Sequence, residues 1–307
     1  MSAREVIFLG TASQVPTRQR NQHALFLRWD DLGILFDPGE GTQRQMIRAG
    51  LSASQITHIC ITHFHGDHCL GLASLVQRIS LDRVPHPVMV FYPRSGQIYF
   101  DRLRHACIFH DRAQIVPRPL AGPADADLVA AELPQAVLIA RALDHRVDCY
   151  GYRLVERDGR RMLPERLAAL GLRGARIGEL VARGQVEEGG RTVRLEEVSV
   201  PRPGQRFAFV MDTRPCVGAE ALADQADLLV CESTYLSSEE RLAHDYYHMT
   251  AAQAGQLARR AGVRRLVLTH FSERYPHGGP LREEAAAFHD DVLAADDLIT
   301  VRVPPRR

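Results

Sequence analysis

Lysine is missing from the 307 residues, so all 38 basic side chains other than histidine are arginine. Against 37 acidic residues they leave a formal net charge of +1, which excludes a broadly basic protein that would coat nucleic acid through averaged charge. The missing lysine is read as a mark of genome composition, although Arg also suits RNA because its planar fork pairs phosphate oxygens and stacks on bases. Cysteine pairs are missing too: Cys60, Cys69, Cys107, Cys149, Cys216 and Cys231 are scattered, with no C-x-x-C. That spacing excludes a thiolate zinc site and a disulfide framework, and predicts reduced core residues. No stretch approaches the roughly 18 uninterrupted apolar residues of a membrane helix. Residues 1–10 carry one Arg before a short apolar run stopped by Gly10, a layout unlike a secretory signal. A cytoplasmic protein without a membrane partner is expected.

What is present is the composition of a folded globular body, 45% hydrophobic and 24% charged. Strand-like apolar runs fall at 5–9, 24–29, 33–36, 58–62, 88–91, 136–140, 149–155, 206–211, 227–231 and 265–269. Helical periods lie between many of them, at 42–49, 71–80, 97–106, 250–261 and 282–294. This mixture predicts an α/β layered domain. Ile61-Thr62-His63-Phe64 is echoed by Leu268-Thr269-His270-Phe271, each with a His where an apolar strand stops. The echo fits two similar halves whose strand ends converge on one site. From 156 to 204 the chain is Arg- and Gly-rich, with ten Arg against six acids between Arg153 and Arg194. One amphipathic piece, Pro164 to Leu170, precedes Gly171, and no core of its own is evident. Such an excursion is either a projecting substrate arm or a solvated loop.

The densest chemistry is Thr62-His63-Phe64-His65-Gly66-Asp67-His68, three imidazoles and a carboxylate within six residues directly after a strand. A lone His is usually a surface or core residue, but four ligand-type side chains at this spacing are metal ligands. On a tight loop alternate residues point inward, so His63 and His65 can share one ion while Asp67 and His68 face a second. Gly66 allows the bend. Each ion needs about four donors, one of them water at a catalytic site, so the rest must come from elsewhere. His145, Asp212 and His270 each sit at the end of a strand pattern. Singly each reads as a turn residue; jointly they complete the set.

This succession of H-x-H-x-D-H, a later His, an Asp after one strand and a His after another resembles the motifs of the metallo-β-lactamase superfamily over nearly the whole chain. The resemblance implies an αββα four-layer sandwich, one domain over 1–307, with zinc between the strand ends of two sheets. It implies two zinc ions per subunit, other divalent cations being possible. His63, His65 and His145 would hold one, Asp67, His68 and His270 the other, and Asp212 would bridge them. Pro16-Thr17-Arg18-Gln19-Arg20-Asn21 resembles the P-x-K-x-R-N loop of the ribonuclease Z family, with Arg18 in the Lys place. His248-Met249-Thr250 after Tyr246-Tyr247 resembles that family's H-S-T motif, with Met249 replacing Ser. Asp212-Thr213-Arg214 and the run from Thr269 to Tyr275 also match its local pattern. Residues 156–204 stand where the family carries a flexible tRNA-binding arm, although its Gly-Pro element is replaced by Arg173-Gly174-Ala175-Arg176. The resemblance therefore implies precursor tRNA as substrate and a homodimer in which the arm of one subunit clasps tRNA whose end enters the other's site. Substrate contacts would come from Arg18, Arg20, Asn21, Thr250 and Arg274, and from Arg173 and Arg176 on the arm.

Paired zinc ions lower the pKa of a shared water towards about 7 and supply hydroxide for in-line attack on phosphorus. Asp67 is the expected proton acceptor as well as a ligand. His248 is the expected donor to the departing ribose 3′ oxygen, since an unperturbed imidazole titrates near 6.5. Thr250 is also a good N-cap, which leaves His248 a packing role at a helix start. The implied reaction is endonucleolytic removal of the 3′ trailer of precursor tRNA, leaving a 3′-hydroxyl. A phosphodiesterase, thiolesterase or lactonase of the superfamily would keep the ligands but leave residues 16–21, the Arg-rich insert and residues 248–250 unexplained. A non-catalytic metal-containing nucleic-acid-binding protein would have no need of the full ligand set.

Overall fold

The computed structural model describes residues 4–306. Two seven-stranded sheets stand at its centre. The first runs, edge to edge, through Thr300–Arg302, Arg4–Gly10, Ala24–Trp29, Leu32–Phe36, His58–Cys60, Val88–Pro93 and Ile115–Leu120. Its opening strands are antiparallel, and those from Leu32–Phe36 onward are parallel. The second runs through Val292–Ala294, Arg265–Thr269, Leu228–Glu232, Arg206–Val210, Tyr150–Glu156, Ala136–Ala142 and Leu128–Glu132. Its first four strands are parallel.

Alternation along each strand sorts side chains between two faces. Val6, Phe8, Leu25 and Leu27 meet Tyr152, Phe207, Phe209 and Val230 in the core between the sheets. Ile7, Leu9 and Phe26, from the intervening positions, pack instead with residues of the helices Thr42–Arg48, Leu72–Leu81 and Gln97–Arg104. Ala208, Val210 and Leu268 likewise pack with Val217–Ala223, Ala251–Arg260 and Gly279–Ala286. The result is the expected αββα sandwich. Because the central strands are buried on both faces, they read in the sequence as continuous apolar runs.

Several expectations are corrected. The helical period at 282–294 is two elements, the helix Gly279–Ala286 and the strand Val292–Ala294. Val292 and Leu293 pair with Leu266 and Val267, so sheet extension overrides the Ala-rich period there. Ile115–Leu120 was hidden by Pro117 and Pro119, which it tolerates because it is an edge strand. Cys60, Cys69, Cys149 and Cys231 are buried thiols, but Cys107 is exposed.

Residues 156–205, with the C-terminal residues from Pro305, form a second compact unit. It has a core after all: Leu167, Leu172, Leu180, Val186, Val193 and Val198 are buried together. Helices Pro164–Ala169 and Ala175–Arg183 supply part of it, and the hairpin Gln185–Glu188 with Arg191–Arg194 supplies the rest. That hairpin turns through Gly189 and Gly190, both at positive φ as a tight two-residue turn requires.

Candidate metal centre

The carboxyl ends of strands in both sheets carry the chemistry. His63 follows His58–Cys60 in the first sheet; His145, Asp212 and His270 follow Ala136–Ala142, Arg206–Val210 and Arg265–Thr269 in the second. Asp212 and His270 are both left-handed, at φ 44° and 62°, so the backbone swings aside as each strand stops. Few L-residues other than Asn, Asp and His settle there readily. At the His-rich loop the bend is made by a short helix, Gly66–Cys69, and Gly66 is not at positive φ. Its glycine is therefore not required for the turn on conformational grounds, contrary to expectation.

The donors fall into two groups, His63, His65, His145 and Asp212, and Asp67, His68 and His270, with ligand atoms in each group within 4.8 Å of one another. His63 Nε2 lies 2.8 Å from His65 Nδ1, which lies 3.3 Å from His145 Nε2. Asp212 Oδ2 is 3.6 Å from His63 Nε2 and 3.3 Å from His68 Nε2, while Oδ1 is 3.2 Å from His270 Nε2. Asp67 Oδ2 is 3.2 Å from His68 Nε2 and 3.4 Å from His270 Nε2. Tetrahedral donors about 2.1 Å from one ion are roughly 3.4 Å apart, the spacing found. Asp212 thus reaches both groups, Oδ2 lying near His63 and His68 and Oδ1 near His270. His68 Nε2 and Asp212 Oδ1 are also buried without a hydrogen-bond partner, aimed into the same space. A divalent metal fits these residues.

Electrostatics agree with the geometry. Burial, with neighbouring imidazoles, holds His63 well below the usual histidine range and lowers His65 and His145, keeping them in the neutral form that binds metal. Burial disfavours charge on His68 as well, yet Asp212, Asp67 and Asp37 together raise it well above its ordinary value. That surplus of negative charge is what a dication neutralises. Burial pushes Asp67 upward, but His68 and His270 outweigh it and hold the carboxylate far below its usual range.

Two buried carboxylates that the sequence reading missed orient the ligands. Asp37, at φ 44°, accepts from His68 Nδ1 at 2.9 Å, from Thr62 Oγ1 at 2.8 Å and from the Thr62 amide at 2.7 Å. Thr62 Oγ1 in turn accepts from His63 Nδ1 at 2.9 Å. Across the site Glu232 accepts from Thr234 Oγ1 at 2.7 Å, from His248 Nδ1 at 3.1 Å and from the Thr213 amide at 2.5 Å. Thr234 Oγ1 accepts from His270 Nδ1 at 3.0 Å. Each imidazole so held turns Nε2 to the centre. Replacing Asp37 with Asn should weaken divalent-metal binding about 10- to 100-fold, read by competition with a chromophoric chelator, with secondary structure unchanged by circular dichroism.

His248 faces the same cavity, of about 450 Å³, which His145, His270, Tyr235, Tyr246 and Arg274 also line. Burial opposes its charge, but Glu232 and Asp212 raise its pKa to about 9. Those two carboxylates favour its protonated form.

The expected substrate contacts divide. Arg18 is exposed, and Arg274 lines the cavity with its guanidinium 5.2 Å from the Tyr235 ring and an ion pair to Glu239 at 2.6 Å. Arg20 is corrected: it is buried, lies over the Phe271 ring at 4.8 Å and donates to the Tyr275 carbonyl at 2.9 Å, so it anchors its loop. Asn21 is similarly engaged, its side chain donating to the Glu40 carbonyl at 2.6 Å. Thr250 is also corrected, since it is buried and caps the helix Ala251–Arg260 by accepting from the Gln253 amide, with Gln253 reaching back. Thr250→Ala should cost about 1 kcal/mol of stability in urea unfolding, with little change in substrate affinity. In the second unit Arg173 is exposed, whereas Arg176 is engaged by Glu179, Glu188 and the Glu187 carbonyl.

The sandwich and the seven donors at its strand ends define a protein of the metallo-β-lactamase class, and residues 17–129 match the metallo-β-lactamase superfamily model. Residues 190–271 match that of the β-lactamase superfamily domain. The chain is 55% identical to the ribonuclease Z of Salinispora arenicola over 100% of its own length and 98% of the relative's. It is 44% identical to that of Chlamydia trachomatis serovar D, over 99% of each. The crystal structure of human tRNase Z, short form, matches with a TM-score of 0.73 at 26% identity, covering 98% of this chain and 100% of that one. The chain belongs to the ribonuclease Z family.

Proposed function

We propose that this chain is an endoribonuclease that removes the 3′ trailer of precursor tRNA by hydrolysing one phosphodiester, with two zinc ions per subunit. The observation that carries the reading is the convergence of His63, His65, His145, Asp212, Asp67, His68 and His270 in two donor groups beside an open cavity, in a chain more than half identical to a ribonuclease Z.

Bound zinc supplies a Lewis acid for the phosphoryl oxygens and a nucleophile at neutral pH. The protein's own residues do the rest. His63, His65 and His145 hold one position and Asp67, His68 and His270 the other, with Asp212 shared. Asp67 serves as a ligand and, beside the metal site, as the proton acceptor. His248 gives a proton from Nε2 to the leaving ribose 3′ oxygen, and Glu232 at Nδ1 keeps the ring charged and aimed. The product on the tRNA is then a 3′-hydroxyl.

Residues 156–204, with Arg173 at their surface, are the arm that grips tRNA, and the working form is a homodimer in the cytoplasm. Support comes from the family likeness. No helix among the described residues is long and apolar enough to cross a membrane. Light scattering that finds only monomer at working concentration would overturn the dimer.

The decisive experiment is incubation with end-labelled precursor tRNA, with and without a chelator, mapping the cut and counting bound metal. Cleavage next to the trailer, a 3′-hydroxyl product and loss of activity on chelation are expected. A 3′-phosphate, or cleavage untouched by chelation, would overturn the mechanism.

A further inference from the structure

His65 stands between two cavities. One is the cavity with His248; the other, of about 410 Å³, is lined by His65 too and walled by Phe64, Pro93, Gly96, Tyr99, Val147 and Asp148. Nothing in the mechanism uses the second. Its walls suit a flat ring: Phe64 and Tyr99 have centroids 5.9 Å apart with planes inclined at 35°, and Tyr99 is 49% exposed. The Phe64 ring is fixed against Gly96, where a Cβ would lie 2.0 Å from Phe64 Cδ2, and is edge-on to Tyr92 at 5.8 Å. A rigid ring beside an accessible one is a stacking platform, since every base presents a π-face.

The direction of the substrate follows from the acid. His248 protonates the 3′ oxygen that leaves with the tRNA, so the last tRNA nucleotide occupies the His248 side. The phosphorus and the trailer attached to it must leave by another opening. The rings run His65, His145, His248 along the site, with neighbouring centroids 5.1 and 5.6 Å apart, and the aromatic cavity adjoins the His65 end. The carboxylate of Asp148 at its wall repels phosphate and accepts from base N–H groups, so it admits a base rather than a backbone.

We propose that the cavity of Phe64 and Tyr99 receives the base of the first trailer nucleotide, making Tyr99 a specificity-determining residue on the downstream side of the cut. This rests on the ribonuclease reading above. The test compares two precursor tRNAs, identical except that the first trailer nucleotide is intact or abasic. The wild-type holoenzyme should cleave the intact one with roughly tenfold higher kcat/KM, as one stacked base warrants. Tyr99→Ala should bring the two substrates within about twofold, and Tyr99→Phe should keep the preference. In stopped flow before turnover, 2-aminopurine at the first trailer position should be quenched by wild type and by Tyr99→Phe but not by Tyr99→Ala. The same probe just upstream of the cut should be indifferent to Tyr99. Equal cleavage of the two substrates by wild type, or an undiminished preference in Tyr99→Ala, would overturn the assignment while leaving the ribonuclease reading intact. Failure to cut either precursor would overturn both.

Discussion

Asp212→Asn is expected to lower kcat/KM on precursor tRNA by about 10⁴-fold or more, equivalent to roughly 5 kcal/mol of transition-state stabilisation. Asp212 is the donor that both ligand groups share, its two oxygens lying within 3.2 to 3.6 Å of His63, His68 and His270. An amide keeps the shape and tolerates φ 44° but loses the charge and turns an N–H₂ towards the ions. Alanine would add the cost of a left-handed backbone, which makes Asn the cleaner variant. Metal analysis should find less than the full complement in the variant, while circular dichroism matches wild type. Retention of more than a tenth of the activity with full metal content would remove Asp212 from the centre.

Glu232→Gln is expected to reduce kcat about 10²-fold while leaving metal content near normal. The carboxylate touches no ligand atom aimed at the centre; it holds His248 and, through Thr234, His270. Proton donation needs the imidazolium, so activity is present below the His248 pKa and lost as pH rises through it. Glu232 and Asp212 raise that pKa to about 9 against burial, and bound cations push it lower, so the wild-type alkaline limb should lie at or below about 9. Without the Glu232 charge the raising influence weakens, and the limb should move to lower pH. A pH profile of kcat in both proteins checks this. His248→Ala should have no such limb and should be insensitive to the added Glu232→Gln change. An unmoved limb in the single variant would take the acid role away from His248.

The seven donors were legible because four crowd one loop and three sit where an apolar run stops, a density that turns and cores rarely match. Asp37 and Glu232 were not: each is a single acid at the end of a strand, and nothing local distinguishes a buried acceptor from a solvated turn residue. Arg20 and Thr250 stood inside motifs that resemble the family's, but a motif fixes position along the chain and not which way a side chain faces. Burial turned both into structural residues. The layers were readable because two-sided burial writes itself as unbroken apolar runs. The small core from Leu167 to Val198 escaped notice because its six residues are spread thinly among arginines. Residues 282–294 failed for the opposite reason: an Ala-rich period was strong locally and was overridden at Val292 by an open sheet edge.

One consequence concerns endurance rather than turnover. His63 to His68 hang from one sheet and His145, Asp212 and His270 from the other, so an ion held by either donor group rivets the two halves of the sandwich. An ion that binds only the assembled halves adds RT ln(1 + [L]/Kd), about 4 kcal/mol when free metal is a thousandfold above Kd. Depriving a cell of that metal would then thin out this protein through unfolding and proteolysis as well as silence it.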